Sequence, residues 1–175
     1  MSLFFQTGTI GYIYLGITIF TVLYLIYLSI VDSKKHELEY WQTGLLFGVC
    51  LLELFTCIKA EKTLLLSHGS LPTEFWKYLV IHLSSGLLVF VLLLFMTFIK
   101  KNGKSAIGGA DIWAITAISL MLGIFYLPYF LITTCLSYLI FALFYRIFKK
   151  EKLQRVAFLP FITIGTVFAL GLTLL

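Results

Sequence analysis

The sequence predicts an all-α, polytopic membrane protein with six transmembrane helices. Two observations carry this. Of the 175 residues, 61% are apolar and only 12% charged, against roughly 25% charged in a typical soluble domain. The apolar residues also fall into runs long enough to cross a hydrocarbon core of about 30 Å, which takes about 20 helical residues. A chain this short and this apolar has too few polar groups to cover its surface unless lipid is the solvent.

The spans follow in order. Ile10 to Val31 is uncharged, and no Lys or Arg precedes it. A cleaved signal peptide needs a positive segment before its apolar run, so this one reads as a permanent span. Trp41 to Ile58 is interrupted only by Glu53. Trp76 to Ile99 has Lys77 at its edge and His82 inside. Ile112 to Tyr145 carries no charge at all. As one helix it would be about 51 Å long, too long for a single crossing. Gly123 and Pro128 bracket a natural break, so this stretch reads as two helices joined by a tight turn. The first of the two is short, and a re-entrant segment is the alternative. Val156 to Leu175 is the last span, with Pro160 near its start. Together they make one membrane-embedded domain over residues 1–175, with no soluble domain, repeat or long linker left over.

The net charge of +5 does not call for a nucleic-acid partner. Lys34 and Lys35 follow the first span. Lys100, Lys101 and Lys104 follow the third. Arg146, Lys149, Lys150, Lys152 and Arg155 follow the fifth. Only Lys59, Lys62 and Lys77 fall on the other side. Basic loops stay cytoplasmic, so the richer side is expected inside and both termini outside. Cys50, Cys57 and Cys135 lie inside apolar runs without a Cys-x-x-Cys pair, and His36, His68 and His82 lie in different segments. No metal site and no cofactor is expected.

The chain has two aspartates. Asp32 ends the first span and Asp111 begins the fourth. Two crossings separate them, so both fall at the cytoplasmic side and at similar depth. Two carboxylates close together in a partly dry site share one proton, so that one serves as acid and the other as base toward a water molecule. That is the chemistry of aspartic peptide hydrolysis. A structural role competes at Asp111, which follows Gly108-Gly109-Ala110 at a helix start, where Asp is a good N-cap. Asp32 faces the negative end of its own helix dipole. It is a poor cap there, and an acid at membrane depth is a functional candidate by default. Glu53 reads as a bond across to another helix or part of a cavity lining, and His82 as a hydrogen-bond donor in helix packing.

Three stretches, in order, resemble the type IV prepilin peptidases and the related preflagellin peptidases. The first is Ser29-Ile30-Val31-Asp32-Ser33-Lys34-Lys35-His36-Glu37. The second is Lys104-Ser105-Ala106-Ile107-Gly108-Gly109-Ala110-Asp111, similar to that family's Gly-x-Gly-Asp signature. The third is Arg155-Val156-Ala157-Phe158-Leu159-Pro160-Phe161-Ile162-Thr163-Ile164-Gly165. The resemblance implies a six-span fold in a prokaryotic plasma membrane, with Asp32 and Asp111 as catalytic residues and Gly108, Gly109 and Ala110 meeting the substrate. It implies a prepilin or pseudopilin substrate, cut just before its apolar helix. Larger members add a cysteine-containing cytoplasmic domain and also methylate the new N-terminus. This chain opens on its first span, so a peptidase without that zinc-binding insert is expected. Three features depart from the pattern. Ala110 replaces the second signature glycine, Leu38-Glu39-Tyr40-Trp41 replaces an Ile-Pro-Asn/Asp segment, and Ile112 follows Asp111 where a Lys is usual. Two other functions stand beside the peptidase. One is a non-catalytic assembly protein of a pilus or DNA-uptake machine. The other is a proton-coupled transporter using Asp32, Glu53 and Asp111 as relay groups.

Overall fold

A computed structural model describes residues 9–35, 38–67, 73–98, 100–101, 104–105, 108–149 and 157–174. The described residues are helical apart from one very short ladder and a few connecting residues. The elements are α1 (Thr9–Lys35), α2 (Tyr40–Ser67), α3 (Thr73–Thr97), β1 (Lys100–Lys101), β2 (Lys104–Ser105), α4 (Gly109–Lys149) and α5 (Leu159–Leu174). The two strands pair antiparallel, Lys100 opposite Ser105 and Lys101 opposite Lys104. Four helices are long and apolar enough to cross a membrane, and Leu159–Thr173 is a shorter apolar one. Five helices stand where six spans are expected among the described residues, and α4 joins two helical arms across a break at Gly123. His36, Glu37, His68, Ala106, Ile107 and the basic segment from Lys150 to Val156 lie outside the described residues.

The difference in count lies in α4. Only Gly123 leaves helical geometry, at φ 69 and ψ 176, and Pro128 sits inside the helix beyond it. A two-residue or longer turn between Gly123 and Pro128 is not needed, because one glycine can adopt a positive φ that other residues avoid. The chain nevertheless folds back there. Before the break, Trp113 packs on Phe47 of α2 and Phe90 of α3. Past it, Tyr138 packs on Phe158 and Phe161 at the start of α5. Both contacts lie toward the end of the bundle that carries Asp32, so α4 leaves that end and returns to it. Its first arm, residues 109–122, is only about 21 Å long, shorter than a full crossing of about 30 Å.

A break inside a membrane needs its backbone groups satisfied by protein, and α3 does this. Ser85 donates to the Ser119 carbonyl at 2.5 Å. His82 Nδ1 donates to the Leu120 carbonyl at 2.9 Å. Gly86 lies one turn further along α3, where a Cβ would sit 3.0 Å from that of Leu120. His82 is the packing donor its sequence position suggested. Its ring also fills the space beside Gly123, where a Cβ would lie 2.9 Å from it. Gly123→Ala is expected to destabilise the protein by about 2 kcal/mol through the positive φ, read by thermal denaturation in detergent.

The remaining helices pack around α4. Leu25 and Leu28 of α1, Leu46 and Cys50 of α2, Ala114 and Ile118 of α4, and Leu159 and Ile162 of α5 share one core. Tyr14 near the start of α1 hydrogen-bonds Thr173 at the end of α5. The start of α1 and the end of α5 therefore share one end of the bundle, opposite Asp32.

Candidate active site

Asp32 lies one turn before the end of α1 and is 7% exposed. Its Oδ2 accepts a hydrogen bond from the Leu159 backbone N–H at 3.2 Å. Leu159 is the first residue of α5. That helix opens as Phe158-Leu159-Pro160-Phe161, with no Ser, Thr, Asp or Asn to accept its free N–H groups. Asp32 supplies the acceptor from a different helix, and the positive end of the α5 dipole favours a negative group there. Reading Asp32 only against its own helix missed this partner. The signal was an apolar helix start that needs an acceptor from elsewhere.

Asp111 is not the N-cap of α4. Gly108 holds that place, since its carbonyl takes the first helical bond, from Ile112 N–H at 3.2 Å. Asp111 sits three residues on, and its carboxylate accepts from the Gly108 backbone. This is the returning half of a capping box. The start of α2 uses the same device, with Gln42 Oε1 accepting from Glu39 N–H at 3.1 Å. A Cβ at Gly108 would lie 3.1 Å from Asp111 Oδ2, so any side chain at 108 would press on the carboxylate.

Asp32 lies within direct electrostatic reach of Asp111, so the ends of α1, α4 and α5 converge there. Gly108 and Gly109 are exposed beside them, and Ala110 and Asp111 are half-buried. Among the described residues, nothing would meet a Cβ at Gly109. Ala110 lies within α4. Within α4 only Gly123 leaves helical geometry, so the Ala at 110 occupies ordinary helical backbone, where it fits well. One turn behind Asp32, the hydroxyls of Ser29 and Thr163 lie 2.6 Å apart and join α1 to α5. Glu53 lies elsewhere. It accepts from Thr18 and Thr21 of α1, each at 2.7 Å. Thr21 is about three turns, roughly 16 Å, from Asp32 along α1. Among the described residues no group of three His, Cys or acids has the spacing of a metal site.

A family model described as the type IV leader peptidase family matches residues 19–143. The chain belongs to the type IV leader peptidase family. Among curated proteins and among solved structures, nothing matches it. As a type IV leader peptidase it is a membrane-embedded hydrolase, and the matched stretch contains both aspartates. The match stops before α5, the helix whose first N–H bonds Asp32.

Proposed function

We propose that this leader peptidase is an aspartic endopeptidase working through Asp32 and Asp111. The observation that carries the reading is their placement. They come from helices far apart in sequence, lie within electrostatic reach of each other, and each accepts from the backbone at a helix start. One carboxylate takes a proton from a water molecule, which attacks the scissile carbonyl carbon. The other carboxyl donates its proton toward the carbonyl oxygen. The tetrahedral intermediate then breaks its C–N bond as the amine nitrogen is protonated. The two helix N-termini favour the negative charge that the pair carries throughout. The exposed Gly108 and Gly109 leave room for an extended substrate backbone beside the carboxylates, with Ala110 next to them.

The substrate in this reading is a prepilin or pseudopilin, held by its apolar helix with its leader on the cytoplasmic side of a prokaryotic membrane. The orientation follows from charge. Lys34, the ladder from Lys100 to Ser105, and Arg146 belong to the Asp-bearing end, while Lys59 and Lys77 belong to the other. The basic end faces the cytoplasm and both termini face outward. The test is co-expression with a tagged prepilin-like substrate, following the leader by gel shift. Wild type is expected to shorten the substrate and Asp111→Asn to leave it intact. Cleavage by both would remove Asp111 from the chemistry.

A further inference from the structure

Helix α1 carries Asp32, and something must fix which way it faces. Thr18, Thr21, Leu25, Leu28, Ser29 and Asp32 form one buried stripe along it. Phe20, Leu23, Ile26, Tyr27 and Ile30, between and around them, are exposed. In water, apolar burial would select such a face. In lipid it selects little, because acyl chains are as apolar as leucine, and polar contacts between helices decide instead. A two-pronged polar contact on this stripe lies far from the aspartate pair. Glu53 of α2 is 1% exposed. Its two carboxyl oxygens meet the hydroxyls of Thr18 and Thr21, one each, at 2.7 Å. The threonines are one helical turn apart, so a two-pronged contact fixes both the rotation and the depth of α1 against α2. Thr21 and Asp32 are about three turns apart and so lie on nearly the same face. A rotation of α1 by one residue would swing Asp32 by about 100°, away from both Leu159 and Asp111.

We infer that Glu53 is a positioning residue for the peptidase reaction, setting through Thr18 and Thr21 where Asp32 meets Asp111. This rests on the reading of the two aspartates as catalytic. Glu53 touches neither aspartate, and its effect reaches the site only through the orientation of α1.

The experiment compares kcat and KM of purified Glu53→Leu, Glu53→Gln and the double variant Thr18→Val/Thr21→Val, each normalised to folded protein. Glu53→Leu is expected to lower kcat by about 100-fold, the cost of a misplaced catalytic group, with KM unchanged. Glu53→Gln is expected to restore most of kcat, because a carboxamide still offers both an acceptor and donors. The threonine double variant is expected to match Glu53→Leu. Adding Glu53→Leu to it is expected to cost nothing further, since both act through one contact. Normal kcat in Glu53→Leu overturns the inference, even if its thermal stability falls. So does normal kcat in the threonine variant, which keeps side-chain volume and decides the matter alone if Glu53→Leu does not fold. Retained cleavage in Asp32→Asn or Asp111→Asn is a different failure, which removes the aspartic mechanism itself.

Discussion

Asp32→Asn and Asp111→Asn are each expected to lower cleavage by about 10⁴-fold, the upper range for loss of a general acid or base. Their effects on stability differ, and the difference separates chemistry from architecture. At position 111 an Asn oxygen can still accept from the Gly108 backbone, so Asp111→Asn is expected to fold like wild type. At position 32 an Asn can still accept from Leu159 but loses the charge that the α5 N-terminus favours, worth about 0.5–1 kcal/mol. Asp32→Ala goes further and leaves the N–H of the fully buried Leu159 without an acceptor, at a cost of about 2 kcal/mol. Gel-shift cleavage and thermal denaturation in detergent read the two effects separately. If Asp32→Asn keeps cleaving while Asp32→Ala melts early, Asp32 is only a cap for α5.

Gly165→Ala is expected to be the most damaging substitution outside the aspartate pair. At Gly165 the second arm of α4 crosses α5 with almost no room. A Cβ there would lie 2.9 Å from the Phe130 carbonyl oxygen and would also collide with the Thr134 hydroxyl. The Thr134 side chain could rotate, but the carbonyl belongs to the helix and cannot. The two helices must separate, and overpacking of this kind costs about 3 kcal/mol. Separation also moves the start of α5, where Asp32 and the Ser29–Thr163 pair are anchored. The expected result is an earlier melting transition in detergent together with reduced cleavage per folded molecule. Unchanged stability would mean that the two helices do not pack this closely in the membrane.

The helices were legible because lipid demands long uninterrupted apolar runs. Their ends were less so. Helix α2 continues past Ile58 to Ser67, since hydropathy marks where a helix leaves the hydrocarbon and not where it stops. That Asp32 and Asp111 fall at one end and at similar depth followed from counting crossings. Their partners did not, because the Leu159 N–H comes from a helix start 127 residues away and no local pattern announces such a contact. Asp111 looked like an N-cap because caps are read by residue type, while the structure gives that place to Gly108. Gly123 was identified as a break, but Pro128 does not share it. What the single glycine does depends on Ser85 and His82 standing opposite to receive the exposed carbonyls, a match between two helices that neither shows alone.

The short first arm of α4 has a mechanical consequence. At about 21 Å it is roughly 9 Å shorter than a hydrocarbon core about 30 Å thick, and near its tip Leu120 packs on Leu54 and Ile58 of α2. Asp111 therefore rides on an arm braced by its neighbours, and the packing of α2 and α3 against that arm sets the height of one carboxylate relative to the other.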